Sequence, residues 1–88
     1  MSKNPLQVGN KVFIRTVTFY YTGEIVEMSE HDIVLDKAAW IADTGRFFDA
    51  LKTGKLNEVE PYVGVVSISR AAYLDATLWE HALPQKQL

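Results

Sequence analysis

The side chains with the most chemical reach in this chain fall in two short stretches. The first is Ser29-Glu30-His31-Asp32, a hydroxyl, an imidazole and a pair of carboxylates in consecutive positions. The second is Arg70, within Ser69-Arg70-Ala71. An imidazole on a polar turn offers a flat ring for stacking on a base, or a contact that changes charge near neutral pH. The same run also suits an ordinary solvated turn, where short polar side chains bond their own backbone. Arg70 carries a planar guanidinium that stacks on bases and grips phosphate. It is equally suited to pair with a carboxylate such as Asp75 across a subunit boundary.

Catalytic machinery is not legible. The chain has no Gly-rich phosphate loop and no nucleophile beside a recognisable base. Its carboxylates are scattered. His81, in Glu80-His81-Ala82, has no further ligand at metal spacing, and without cysteine neither thiolate metal sites nor disulfides are available. The expectation is a protein that is not an enzyme and needs no metal and no cofactor. Tyr20 and Tyr21 point to opposite sides of one strand, and an aromatic binding platform there is the weaker reading against core or interface packing.

These groups need a scaffold, and 88 residues supply a single domain. A hydrophobic content of 48% is enough for a core. The net charge of −2 gives no globally basic face, so any phosphate contact must be local. No apolar run approaches the length of a membrane helix, and MSKNPLQVG lacks the apolar centre of a signal peptide. A soluble, intracellular (cytoplasmic) protein without membrane contact is expected.

The pattern of residues 11–39 is β throughout. β-branched and aromatic residues alternate over Lys11–Thr18, which predicts a strand with both faces partly covered. A reversal falls near Val17–Tyr20. Tyr20–Met28 predicts a second strand, bent at Gly23, where a missing side chain permits a close approach. After the polar turn, Ile33-Val34-Leu35 opens a third strand that runs on toward Trp40 and Ile41. A short helix is expected over about residues 44–53, capped by Asp43 or Thr44 and stopped at Gly54. Asn57–Tyr62, with Pro61, reads as a linker. Val63–Ser69 and Tyr73–Trp79 read as the fourth and fifth strands. Residues 1–10 read as a frayed arm and 80–88 as a tail. Trp40 and Trp79 are packing anchors. Phe47 and Phe48 cannot both be buried on one narrow stripe; simple core packing is the first reading, and the alternative has one covering the barrel while the other meets a neighbour.

Gly23, Ile25 and Met28, the turn Ser29–Asp32 and the strand Ile33-Val34-Leu35 together resemble the first motif of the Sm-like (LSm) family. Ser67-Ile68-Ser69-Arg70-Ala71 followed by Tyr73–Trp79 is similar to its second. Within the family the chain looks most similar to short phage-like or environmental members. The match has departures. Val17-Thr18-Phe19 stands where Asp-Gly is usual, Ser29 replaces an Asp, Asp32 falls near an Asn position, and Ala71 replaces a Gly. His31 stands for the family's ring and Arg70 for its stacking Arg.

The resemblance implies a mainly β fold: a small, strongly bent, five-stranded antiparallel barrel of SH3-like shape, with the helix inserted between strands three and four. It implies a non-catalytic cyclic homo-oligomer of about five to seven copies. Such rings bind single-stranded RNA at the pore, and here Ser29, His31, Asp32 and Arg70 would carry that contact. Subunits of the family join by pairing strand four with strand five of the next copy. The candidate interface residues are then Val63, Val65, Val66, Ile68, Tyr73, Leu74 and Leu78. The chain's own pattern agrees, because a charge-free strand from Pro61 to Ser69 makes a poor free edge. The competing expectation is a structural, phage-related ring that contacts protein and not nucleic acid, favoured by the acidic balance.

Overall fold

Alternation of β-branched and aromatic residues builds strand β1 over Lys11–Thr16 and strand β2 over Tyr20–Met28 in this computed structural model, which describes residues 3–88. Residues 1–2 of the expected arm lie outside the described residues. A threonine, not a glycine, closes the β1–β2 reversal. Thr16 donates to the Phe19 carbonyl through both N–H (2.9 Å) and Oγ1 (2.7 Å), and Phe19 N–H donates back to Oγ1.

Strand β3, Asp32–Asp43, pairs antiparallel with β2 and is broken into two working halves. The ladder slips between Thr22 and Glu24. Gly23 sits at that slip because a Cβ there would meet Leu35 Cβ at 2.9 Å and Ala38 Cα at 3.3 Å. Facing it, Lys37 adopts a left-handed φ of 50°, and its N–H is taken by the Asp36 side chain. Before this kink, Asp32–Leu35 pairs with strand β5, Val66–Ser69. After it, Ala39–Asp43 pairs with strand β4, Glu58–Pro61. Helix α1, Phe47–Thr53, connects β3 to β4. Strand β6, Tyr73–Leu78, pairs with β1.

The result is a mainly β fold with one antiparallel sheet of six strands in the order β4-β3-β2-β1-β6, and β5 also on β3. Five strands were expected, in a closed barrel. Among the described residues no ladder joins β5 to β6, so the sheet is open. The extra strand is β4, read from sequence as linker. Its alternation is only Glu58-Val59-Glu60, too short to register, yet Val59 is fully buried once β3 lies beside it. The strand expected over Val63–Ser69 contracts to Val66–Ser69, and Val63–Val65 forms an exposed loop. Helix α1 begins at Phe47, after the expected caps. Asp43 instead accepts from Gly45 N–H, and Thr44 Oγ1 donates to Gly45 O. Gly54 stops the helix as expected, with φ 80° and its N–H on Ala50 O.

Successive β1 side chains enter different cores, as a pleated strand requires. Val12 and Ile14 join Ile25, Ile33, Leu35, Ala38 and Ile68. Phe13 joins Ala39, Ile41, Ala50, Leu56, Val59 and Trp79. Each large side chain so buried contributes about 1.5–3 kcal/mol from removal of apolar surface. The terminal stretches are tied down, contrary to the reading as arm and tail. Gly9 N–H donates to Ile25 O and Ile25 N–H to Asn10 O, while Leu6 packs on the first core. Beyond β6, Trp79 is buried with Nε1 on Ala82 O, Leu83 covers the second core, and Leu88 exchanges two backbone bonds with Val59. Among the described residues no helix is long and apolar enough to cross a membrane.

Candidate nucleic-acid interface

The β2–β3 turn is closed by its own short polar side chains. Ser29 N–H donates to Asp32 O at 3.0 Å. Ser29 Oγ accepts from the N–H groups of His31 and Asp32, both at 3.1 Å, and donates to Asp32 Oδ1 at 2.9 Å. These are the local bonds that Ser and Asp form in turns. The second oxygen of Asp32, Oδ2, accepts from Ser67 Oγ at 2.6 Å. The two serine bonds, that to Ser67 first, hold the Asp32 carboxyl below its ordinary value, with smaller help from the charges of His31 and Arg70.

Arg70 reaches the same turn from the end of β5. Its N–H donates to His31 O at 2.9 Å, its Nε donates to Ser29 O, and Nη2 lies 3.8 Å from Met28 Sδ. A guanidinium with one edge fixed on backbone keeps its remaining N–H groups and its flat face for another partner. The His31 ring is 85% exposed, with Nε2 3.4 Å from Glu30 Oε1. The structure therefore brings Ser29, His31, Asp32 and Arg70 together within one chain. It adds Ser67, which sequence reasoning passed over. The available signal was the alternation in Val66-Ser67-Ile68-Ser69, which puts both serines on the face away from the apolar pair.

Asp75, weighed from sequence as a partner for Arg70 across a subunit boundary, has a partner within its own chain. Asp75 faces Arg15 across the β1–β6 ladder and takes both its Nε and Nη2, the latter at 2.6 Å. That pair raises the Arg15 pKa and lowers the Asp75 pKa, the direct hydrogen bond being the main cause in each.

The candidate interface residues divide. Val63, Val65, Leu74 and Leu78 are exposed. Val66 and Tyr73 are half-buried against the first core. Ile68 is 5% exposed and belongs to that core, so its side chain faces its own chain's interior, and only its backbone could serve the strand pairing expected from sequence. Between β5 and the β1–β2 turn lies a groove of about 370 Å³, lined by Val17, Tyr21, Val66, Ile68, Ala71 and Ala72 among others. Of the two helix phenylalanines, Phe47 packs edge-on against Phe13, and Phe48 is 70% exposed beside Lys52.

Among the described residues no group of three His, Asp or Glu side chains is placed to hold a metal ion. His81 engages Leu51 O through Nε2 and lies edge-on to Trp79. No family model matches the chain, and no curated protein matches it.

Proposed function

We propose that this chain is an Sm-like subunit that joins copies of itself head to tail into a cyclic ring of about five to seven members. In this reading the β2–β3 turn and Arg70 of each copy bind single-stranded RNA at the pore, without catalysis. The observation that carries it is the pair of free edges. Set β4 aside and the ladders run β5-β3-β2-β1-β6, with β5 and β6 as the end strands. Among the described residues no strand pairs with the outer side of either. Val66–Ser69 bears no charge, and the only charge of β6, Asp75, is neutralised by Arg15. Leu74 and Leu78 on β6 and Val63 and Val65 before β5 are exposed. Pairing β5 of one copy with β6 of the next satisfies those backbone groups and removes two aggregation-prone edges. The barrel expected from sequence is then this bent sheet with its seam filled by a neighbour.

A ring repeats the turn. His31 offers a stacking face and Arg70 a guanidinium, and repetition converts weak single contacts into avidity. The test is native mass measurement with and without a single-stranded oligonucleotide. A cyclic multimer that gains the oligonucleotide mass is expected, with affinity falling steeply as salt rises and weakened by Arg70→Ala. A monomer at micromolar concentration overturns the reading.

Glu30 and Asp32 on either side of His31 favour a second reading, a structural ring that contacts protein alone. It predicts a multimer with no change in fluorescence anisotropy of U-rich or A-rich RNA at low salt.

A further inference from the structure

Asp32 occupies the place where a base-reading side chain is expected, yet both its oxygens are already engaged by serine hydroxyls. A carboxylate is an acceptor only. A uracil edge presents an N–H between two carbonyl oxygens, and an adenine edge presents a donor beside an acceptor. Neither is matched in full by an acceptor held in place from two sides, and guanine, whose edge presents adjacent donors, is the base that tests the point. The groups left for a ligand are the His31 side chain, 85% exposed, and those guanidinium N–H groups of half-buried Arg70 that are on neither Ser29 O nor Met28 Sδ. A ring and a guanidinium recognise a π-face and a phosphate, which every nucleotide carries.

We propose that the turn binds single-stranded RNA without base preference, one base stacking on His31 and a phosphate meeting Arg70, while Asp32 is a positioning residue. Its bonds to Ser29 and Ser67 tie the turn to β5 and so fix the distance between His31 and Arg70. This inference rests on the RNA-binding reading above, which it narrows from a class of ligand to a mode of recognition.

The full chain is titrated into labelled U-rich, A-rich, C-rich and G-rich RNA oligonucleotides of equal length at low salt, with anisotropy as the readout. Affinities within about threefold of one another are expected, since stacking tolerates all bases. His31→Ala is expected to weaken all of them by about tenfold. Asp32→Asn and Ser67→Ala, each checked for an unchanged melting temperature, are expected to weaken the whole panel evenly by about threefold to tenfold, the equivalent of one hydrogen bond. A preference above about tenfold for one RNA overturns the inference while leaving RNA binding intact, and a preference that Asp32→Asn redirects would identify Asp32 as the reader. Absence of binding to every RNA overturns the RNA reading itself, and the inference with it. The unsubstituted chain alone decides base preference, so a variant that fails to fold does not block the test.

Discussion

The two faces of this sheet carry cores of similar size and different ancestry in the chain. The Ile25 core draws all but one of its buried members from the stretch between Val12 and Ala38, and only Ile68 comes from beyond it. The Trp79 core collects Phe13, Ala39 and Ile41 from the strands, Ala50 from the helix, Leu56 and Val59 from the segment after it, and Trp79 from beyond β6. The first is written by strand alternation. The second exists only when three later segments return to one face. Local openings follow such differences, because segments with fewer buried contacts open at lower free energy. Amides of α1, β4 and residues 79–88 are therefore expected to exchange faster than those of β1–β3.

Large truncations test that contrast most directly. Trp79→Ala should cost about 3–5 kcal/mol and Leu35→Ala about 2–5 kcal/mol, by lost transfer energy plus a cavity. Urea unfolding followed by circular dichroism reads both. If the faces differ as described, Trp79→Ala also lowers the denaturant slope, because its face opens before the strands do. Equal slopes for both variants would mean that the two faces unfold as one unit.

The glycines provide a smaller pair. Gly23→Ala forces a Cβ against Leu35 and Ala38, and overpacking of this kind should cost about 1–3 kcal/mol at the Ile25 core. Gly54→Ala places a side chain at φ 80° and against His81 Cγ at 2.7 Å. The left-handed backbone alone should cost about 1–2 kcal/mol. Its effect should be confined to exchange rates in α1 and 79–88. A uniform rise in exchange across β1–β3 would break the contrast.

Lys37 works in the opposite direction. It holds a left-handed φ without being glycine, so Lys37→Gly should raise stability by up to about 1 kcal/mol. A loss on thermal melting would show that its side chain contributes more than the backbone relief.

The smallest effect is on pH. Asp32 and Asp75 both have carboxyl pKa values below the ordinary range. Their stabilisation is present above the unfolded-state value and is lost as pH falls through the lower folded-state value. The carbon signal of the Asp32 side-chain carboxyl should therefore titrate below the ordinary carboxylate range, and Ser67→Ala should move it back toward that range.

The same contrast explains what could be read from sequence. Tyr20–Met28 is a strand with the bounds its alternation implied, and Gly23 is the close-approach point. The turn Ser29–Asp32 and the stop at Gly54 were legible because each depends on neighbours in the chain. Strand β4 was not, since Val59 becomes apolar surface worth burying only after β3 arrives beside it. Leu88 on Val59 and His81 on Leu51 are likewise products of chain return. Arg70 was placed near the turn only through the resemblance, and its bonds to Ser29 and His31 are long-range facts. Asp75 looked like a partner for Arg70 because sequence does not reveal that β6 lies along β1, where register delivers it to Arg15.

That cross-strand pair links the charge on the β6 edge to the folding of the chain that carries it. The carboxylate of Asp75 is silenced only in a chain whose β1–β6 ladder has formed. Before that, β6 carries a bare negative charge, which discourages pairing with another strand. In a chain whose β1–β6 ladder is open, Asp75 loses Arg15 and the edge proposed for assembly carries its charge unpaired.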